Sequence, residues 1–183
     1  MAPHTFVAYV EDKPGVLNRV ASLFRRRAFN IESLTVGHTE QTGVSRMTIV
    51  IDNTETNAER VIANLYKQVN VLHVADLMQS PMVSRDLALI KVCAPAEKRS
   101  EIMQLVDVYG ARIVDVTNES LIIETTGDED KIDSLVDVLR PFEILEMVRT
   151  GIVAMSRGTD SSPKVNGNGT GNGNGKSPNG AAK

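Results

Sequence analysis

From Thr5 to Val10 apolar and polar positions alternate, setting Phe6, Ala8 and Val10 on one side of an extended segment. The period then lengthens. Val16, Val20, Leu23 and Phe24 fall at i, i+4, i+7 and i+8, the stripe of an amphipathic helix. Asn30 to Val36 reads as a second strand, Thr39 to Gly43 as a polar hairpin loop, and Val44 to Ile51 as a third strand with Met47, Ile49 and Ile51 on one face. Ala58, Val61, Ile62 and Leu65 predict a second helix, and Val69 to Met78 a fourth strand. The predicted order is βαββαβ.

The pattern then repeats. Asp86 to Val92 is strand-like, and Pro95 suits a helix start, where its missing N–H is not needed. Ile102, Leu105, Val106 and Tyr109 form the apolar stripe of that helix. Ala111 to Thr117 and Ser120 to Thr125 predict two strands turning at Asn118-Glu119. Asp128 is placed to cap a helix carrying Ile132, Leu135, Val136 and Leu139, and Glu143 to Met155 holds a last strand. Phe29 to Thr35 aligns weakly with Ala111 to Thr117, both at a helix-to-strand junction, which points to duplication. The expected fold is α+β, two ferredoxin-like βαββαβ domains in tandem at residues 4–79 and 84–157. A linker is expected near Gln79 to Arg85, where Ser80-Pro81 and Ser84 interrupt the pattern. Residues 158–183, rich in Gly and Asn, have too few apolar groups to offset ordering entropy and are expected to be a disordered tail. Each unit is small with open sheet edges, so a homodimer is expected.

Composition narrows the class. The chain is 42% hydrophobic but only 4% aromatic, so the core must be built from Val, Ile and Leu. A net charge of −3 counts against a general nucleic-acid binder. The single cysteine, Cys93, rules out an internal disulfide and fits a reducing, intracellular setting. No segment has the length and apolarity of a membrane span, and the first residues lack a secretory pattern, so a cytoplasmic location is expected.

Candidate chemistry is sparse. His4, His38 and His73 sit in separate elements without zinc-ligand spacing. Cys93 has no histidine near it in sequence and reads as a small buried hydrophobe. Glu11 and Asp12 are neighbours on an extended chain and point to opposite faces, which is wrong for an acid–base pair. Asp128-Glu129-Asp130 fits the acidic first turn of a helix, and Arg25-Arg26-Arg27 its basic last turn. No phosphate-binding glycine motif occurs. An independent enzyme of this fold would need a catalytic constellation, and none is visible.

One segment stands out, Glu11-Asp12-Lys13-Pro14-Gly15-Val16-Leu17. Pro14 and Gly15 permit a tight turn, and the N–H groups at a helix start lack helical partners and attract a carboxylate. Val16 and Leu17 could line a small apolar pocket, Asp12 could accept from an α-ammonium, and Asn30 offers both donors and an acceptor. An ordinary capped strand-to-helix turn accounts for the same residues equally well.

Val10 to Leu17, followed by Phe29-Asn30-Ile31-Glu32-Ser33-Leu34-Thr35-Val36, resembles the ACT domain of the acetolactate (acetohydroxyacid) synthase small subunit family. Ser45-Arg46-Met47-Thr48-Ile49 is similar to that family's third strand, and Asp115-Val116-Thr117 with Arg149 to Gly158 resembles its C-terminal domain. The resemblance covers nearly all of residues 4 to 158. It implies a regulatory subunit without catalysis of its own or a bound cofactor. Its partner would be a large catalytic subunit carrying thiamine diphosphate, magnesium and FAD, which it would activate and render sensitive to a branched-chain amino acid, typically valine. It further implies a homodimer through the ACT domains, with Asp12, Gly15, Val16 and Leu17 of one protomer facing Asn30 and Ile31 of the other as the effector site. Some members carry Asn in place of Asp12, and Asp adds a negative charge near the effector carboxylate. The other role open to such a chain is a free-standing amino-acid sensor acting on another enzyme or a transcription regulator.

Overall fold

In the computed structural model the described residues are 4–51 and 58–158. The N-terminal unit runs β1 (His4–Glu11), α1 (Val16–Arg26), β2 (Ile31–His38), β3 (Val44–Ile51), α2 (Ala58–Leu65) and β4 (Val71–Asp76). After a short 3-10 turn at Leu77–Gln79 come β5 (Met82–Cys93), α3 (Ala96–Val108), β6 (Arg112–Val116), β7 (Ser120–Gly127), α4 (Glu129–Leu139), β8 (Ile144–Arg149) and β9 (Val153–Ser156). The strand orders are β2-β3-β1-β4 and β6-β7-β5-β8, the same path twice, and every pairing is antiparallel. This is the expected tandem of ferredoxin-like units.

Each sheet buries one face under its two helices. In the first unit Phe6, Ala8, Val10, Met47, Ile49 and Ile51 meet Val16, Val20, Leu23, Phe24, Val61 and Leu65. In the second, Ala88, Ile90, Val92, Leu121 and Ile123 meet Ile102, Val106, Ile132, Leu135 and Leu139. The helix stripes read from the sequence are therefore the core-facing stripes. Asp128 caps α4 as expected, accepting a hydrogen bond from the Lys131 N–H.

Two expectations are corrected. The predicted linker over Gln79 to Arg85 is strand from Met82 onward, because Met82 to Arg85 pair with Val153 to Ser156. The predicted last strand, Glu143 to Met155, is divided into β8 and β9 by a turn at Thr150-Gly151-Ile152, with Gly151 at φ +79°. Only a residue without a Cβ takes that conformation easily. The start of β5 and β9 thus form a two-stranded ribbon that leaves the second sheet and lies on the outer face of the first. Ala154 is buried there against Val7 and Leu77, with Tyr9, Met82 and Ile152 around them. The expected tail begins at Gly158 and otherwise lies outside the described residues.

Polar contacts hold the two units together. The Ser33 hydroxyl accepts from the Ile152 N–H at 3.2 Å, and the Thr35 hydroxyl reaches the Thr150 and Ile152 carbonyls. Within the second unit, Arg149 bonds Asp86 and Asp133, both at 2.7 Å, and the Thr150 hydroxyl donates to Asp86. Burial is the largest influence on the Arg149 guanidinium and acts to lower its pKa, but the bonds to the two aspartates outweigh it and hold the pKa above the usual value.

Candidate functional site

The turn after β1 is built from backbone contacts and one asparagine. The Asp12 N–H donates to the Gly43 carbonyl at 2.8 Å, and the Val16 N–H to the Lys13 carbonyl at 3.3 Å. Gly15 precedes α1 at φ +82°, with no side chain capping the helix. A Cβ at Gly15 would meet nothing within 4 Å, so the space over the helix start is open. The N–H groups of Leu17 and Asn18 lie in the first helical turn, which offers them no intrahelical acceptor.

Asn70, which the sequence did not single out, braces this turn. Its carbonyl accepts from the Glu11 N–H, its amide donates to the Glu11 carboxylate, and its side-chain oxygen accepts from Arg19 on α1. The Asn70 hydrogen bond, followed by the Lys13 ammonium, holds the Glu11 carboxyl below its ordinary pKa. His38, at the end of β2, approaches the Asp12 carboxylate at 3.3 Å. Neither partner carried a sequence signal, because both contacts join residues far apart in the chain.

The other predicted site residues divide. Val16 is 4% exposed and shares the core-facing helix stripe with Val20, Leu23 and Phe24. Leu17, one position on, is 45% exposed beside the open helix start. Asn30 is exposed, and Ile31 packs partly on the core. The structure does not bring Asn30 and Ile31 to the turn within one chain. Ile31 pairs with Ile51, level with His4, whereas the turn follows Glu11 at the opposite end of the sheet. At 3.3–3.4 Å per residue the two groups stand roughly 24 Å apart. Asp12, Gly15 and Leu17 therefore share one end of the molecule, and Asn30 and Ile31 the other.

Other chemistry is thin. His73 contacts Tyr66 and the Tyr9 ring, and burial pushes its pKa down. Cys93 is a free, half-buried thiol. Among the described residues no three metal-ligating groups cluster, and no helix is long and apolar enough to cross a membrane.

Residues 6–73 match the family described as "AHAS small subunit-like ACT domain", and residues 85–158 match "Small subunit of acetolactate synthase". A "Probable acetolactate synthase small subunit" of Archaeoglobus fulgidus is 54% identical over 155 residues, covering 85% of this chain and 97% of its own. The acetolactate synthase small subunit of Mycobacterium leprae is 51% identical over 155 residues, covering 85% of this chain and 92% of its own. The crystal structure of the small subunit from Thermotoga maritima superposes with a TM-score of 0.80 at 40% identity, covering 87% of this chain and 99% of that one. Together with the doubled βαββαβ frame, these likenesses show that the chain belongs to the acetolactate synthase small subunit family.

Proposed function

We propose that the chain activates a separate catalytic subunit of acetolactate synthase in the cytoplasm and confers feedback inhibition by a branched-chain amino acid, valine first among them. That subunit would condense two pyruvates, or pyruvate with 2-oxobutyrate, using its own thiamine diphosphate, magnesium and FAD. This chain would contribute no catalytic group.

One observation carries the reading: β2 is the outer strand of its sheet, with the Asp12 turn at its His38 end and Asn30 at the other. If two copies pair antiparallel along β2 about an axis near Leu34, Asn30 of one chain falls opposite His38 of the other. Each turn then receives the Asn30–Ile31 segment of its partner. The N–H groups at the start of α1 would take the effector carboxylate. Asp12 and Asn30 would take its ammonium, and Leu17 with Ile31 its branched side chain. Two such sites would form per dimer. Inhibition follows if the effector binds one dimer arrangement better and that arrangement activates less.

The test is reconstitution. The expected result is that adding the chain to its catalytic subunit raises acetolactate formation, that valine reverses the rise, and that Gly15→Asp preserves the rise but abolishes the reversal. The new carboxylate would occupy the anion position, and Asp tolerates positive φ better than most residues. Undiminished valine inhibition of Gly15→Asp would remove the turn from the site.

A further inference from the structure

The two-stranded ribbon shows the solvent a face that the effector site does not use. Cross-strand pairs Val83–Met155 and Arg85–Val153 lie on its outer side, while Ala154 points to the N-terminal sheet. With Arg46 at one edge they line a shallow groove of about 380 Å³. Its apolar floor is open: Val83 is 37% exposed and Met155 64%.

Its charge is one-sided. Arg46 bonds the Thr48 hydroxyl at 3.1 Å and the Ala154 carbonyl, and lies 5.9 Å from the Tyr9 ring centroid. Among the described residues Arg85 bonds only the carbonyl of Ser84, its neighbour. Among the described residues neither guanidinium has a carboxylate within ion-pair distance, although Arg112 and Arg140 each have one and Arg149 has two. Arg85 borders Asp86, Asp128, Glu129 and Asp130 on its other side, but the groove lining itself holds two guanidiniums and no carboxylate. Beside an exposed Val–Met floor they fit an occupant that supplies carboxylates and an apolar anchor.

Two other occupants fit poorly. A second copy seated face to face here would bring two more guanidiniums to a lining that holds no carboxylate. The chain beyond Gly158 carries Lys164, Lys176 and Lys183 against Asp160, the wrong sign for the groove. We therefore propose that the β5–β9 groove is the docking site for an acidic segment of the catalytic subunit bearing an apolar side chain, held by Arg46, Arg85, Val83 and Met155. This rests on the reading of the chain as an activating subunit. It gives the effector site a short route to the partner, since Ser33 and Thr35 of β2 hold the turn that leads into β9.

The test uses the full chain and its catalytic subunit, measuring binding and activation separately. Arg85→Glu and Met155→Glu alter exposed side chains, so the urea midpoint and valine binding should match the parent. Each is expected to weaken binding about tenfold or more, Arg85→Lys much less, and added salt should weaken the parent more than Arg85→Ala. Binding of both Glu variants within about twofold of the parent would overturn the groove. So would a parent chain that fails to bind the catalytic subunit, or a sedimentation mass of the chain alone that falls in Arg85→Glu, which would make the groove a contact between copies. If the parent binds but does not activate, and Arg85→Glu weakens binding, the groove stands and the activation reading fails.

Discussion

At the first strand-to-helix junction the chain passes through Gly15 at φ +82° and leaves the start of α1 uncovered. At the second it passes through Pro95, and the Arg99 guanidinium folds back to bond the carbonyls of Ala94, Thr117 and Asn118. The frames around them match closely. Asp12 N–H to Gly43 in the first half corresponds to Ala94 N–H to Glu119 in the second, and Glu11 N–H to Asn70 corresponds to Cys93 N–H to Glu143. One of the two equivalent junctions is open and the other carries an arginine bonded to its carbonyls. The same fold thus supports two turns that differ in what they leave free for a ligand.

The outer sheet faces diverge too. The first is covered by the ribbon, with Val7, Leu77 and Ala154 buried. The second exposes Leu89, Val114 and Val148, with Lys91–Glu146 and Arg112–Glu124 ion pairs beside them.

Three substitutions probe the difference between the two halves. The largest effect is expected from Ala154→Asp, which replaces a methyl buried against Val7 and Leu77 by a carboxylate and, even with Arg46 nearby, should cost about 2 kcal/mol or more in urea unfolding. A cost below about 1 kcal/mol would mean that the ribbon is not docked in solution and that the two faces are alike. Arg99→Ala opens the second junction. It should cost about 0.5–1 kcal/mol, chiefly through the part-buried Ala94 carbonyl since water can reach those of Thr117 and Asn118, while leaving valine inhibition intact. A loss of inhibition would show that the filled junction takes part in sensing. An effect no larger is expected at the helix ends, where Ala28 at φ +55° stands where the second half has Gly110 at φ +59°. Ala28→Gly should stabilise the chain by about 0.5–1 kcal/mol in thermal unfolding, since glycine adopts this conformation without a Cβ clash. Destabilisation would mean that the Ala28 methyl contributes packing that outweighs its backbone strain.

Much of this frame was legible in the residues. The echo between Phe29–Thr35 and Ala111–Thr117 extends to the backbone: β2 slips register between Ile31 and Ser33, and β6 between the aligned Ile113 and Asp115. Val16 reads from the sequence both as part of the helix stripe and as apolar lining of the turn, and the folded chain places its side chain in the core beside Val20, Leu23 and Phe24. Met82 to Arg85 were not legible as strand. Ser80-Pro81 and Ser84 look like a linker, and their strand partner is more than sixty residues away. Asn70, Arg19 and His38 likewise gain meaning only through long-range contacts.

Periodicity and turn chemistry are local properties written in successive residues, and they were enough for the two βαββαβ units, the helix stripes, the turn at Gly15 and the family. That Asn30 and Ile31 lie at the far end of the sheet from that turn emerges only in the folded chain. The tertiary structure alone laid the ribbon on the first sheet and aligned Arg46 with Arg85 along one groove. Those are distances between segments remote in sequence, fixed by strand register and by which faces the core had already claimed.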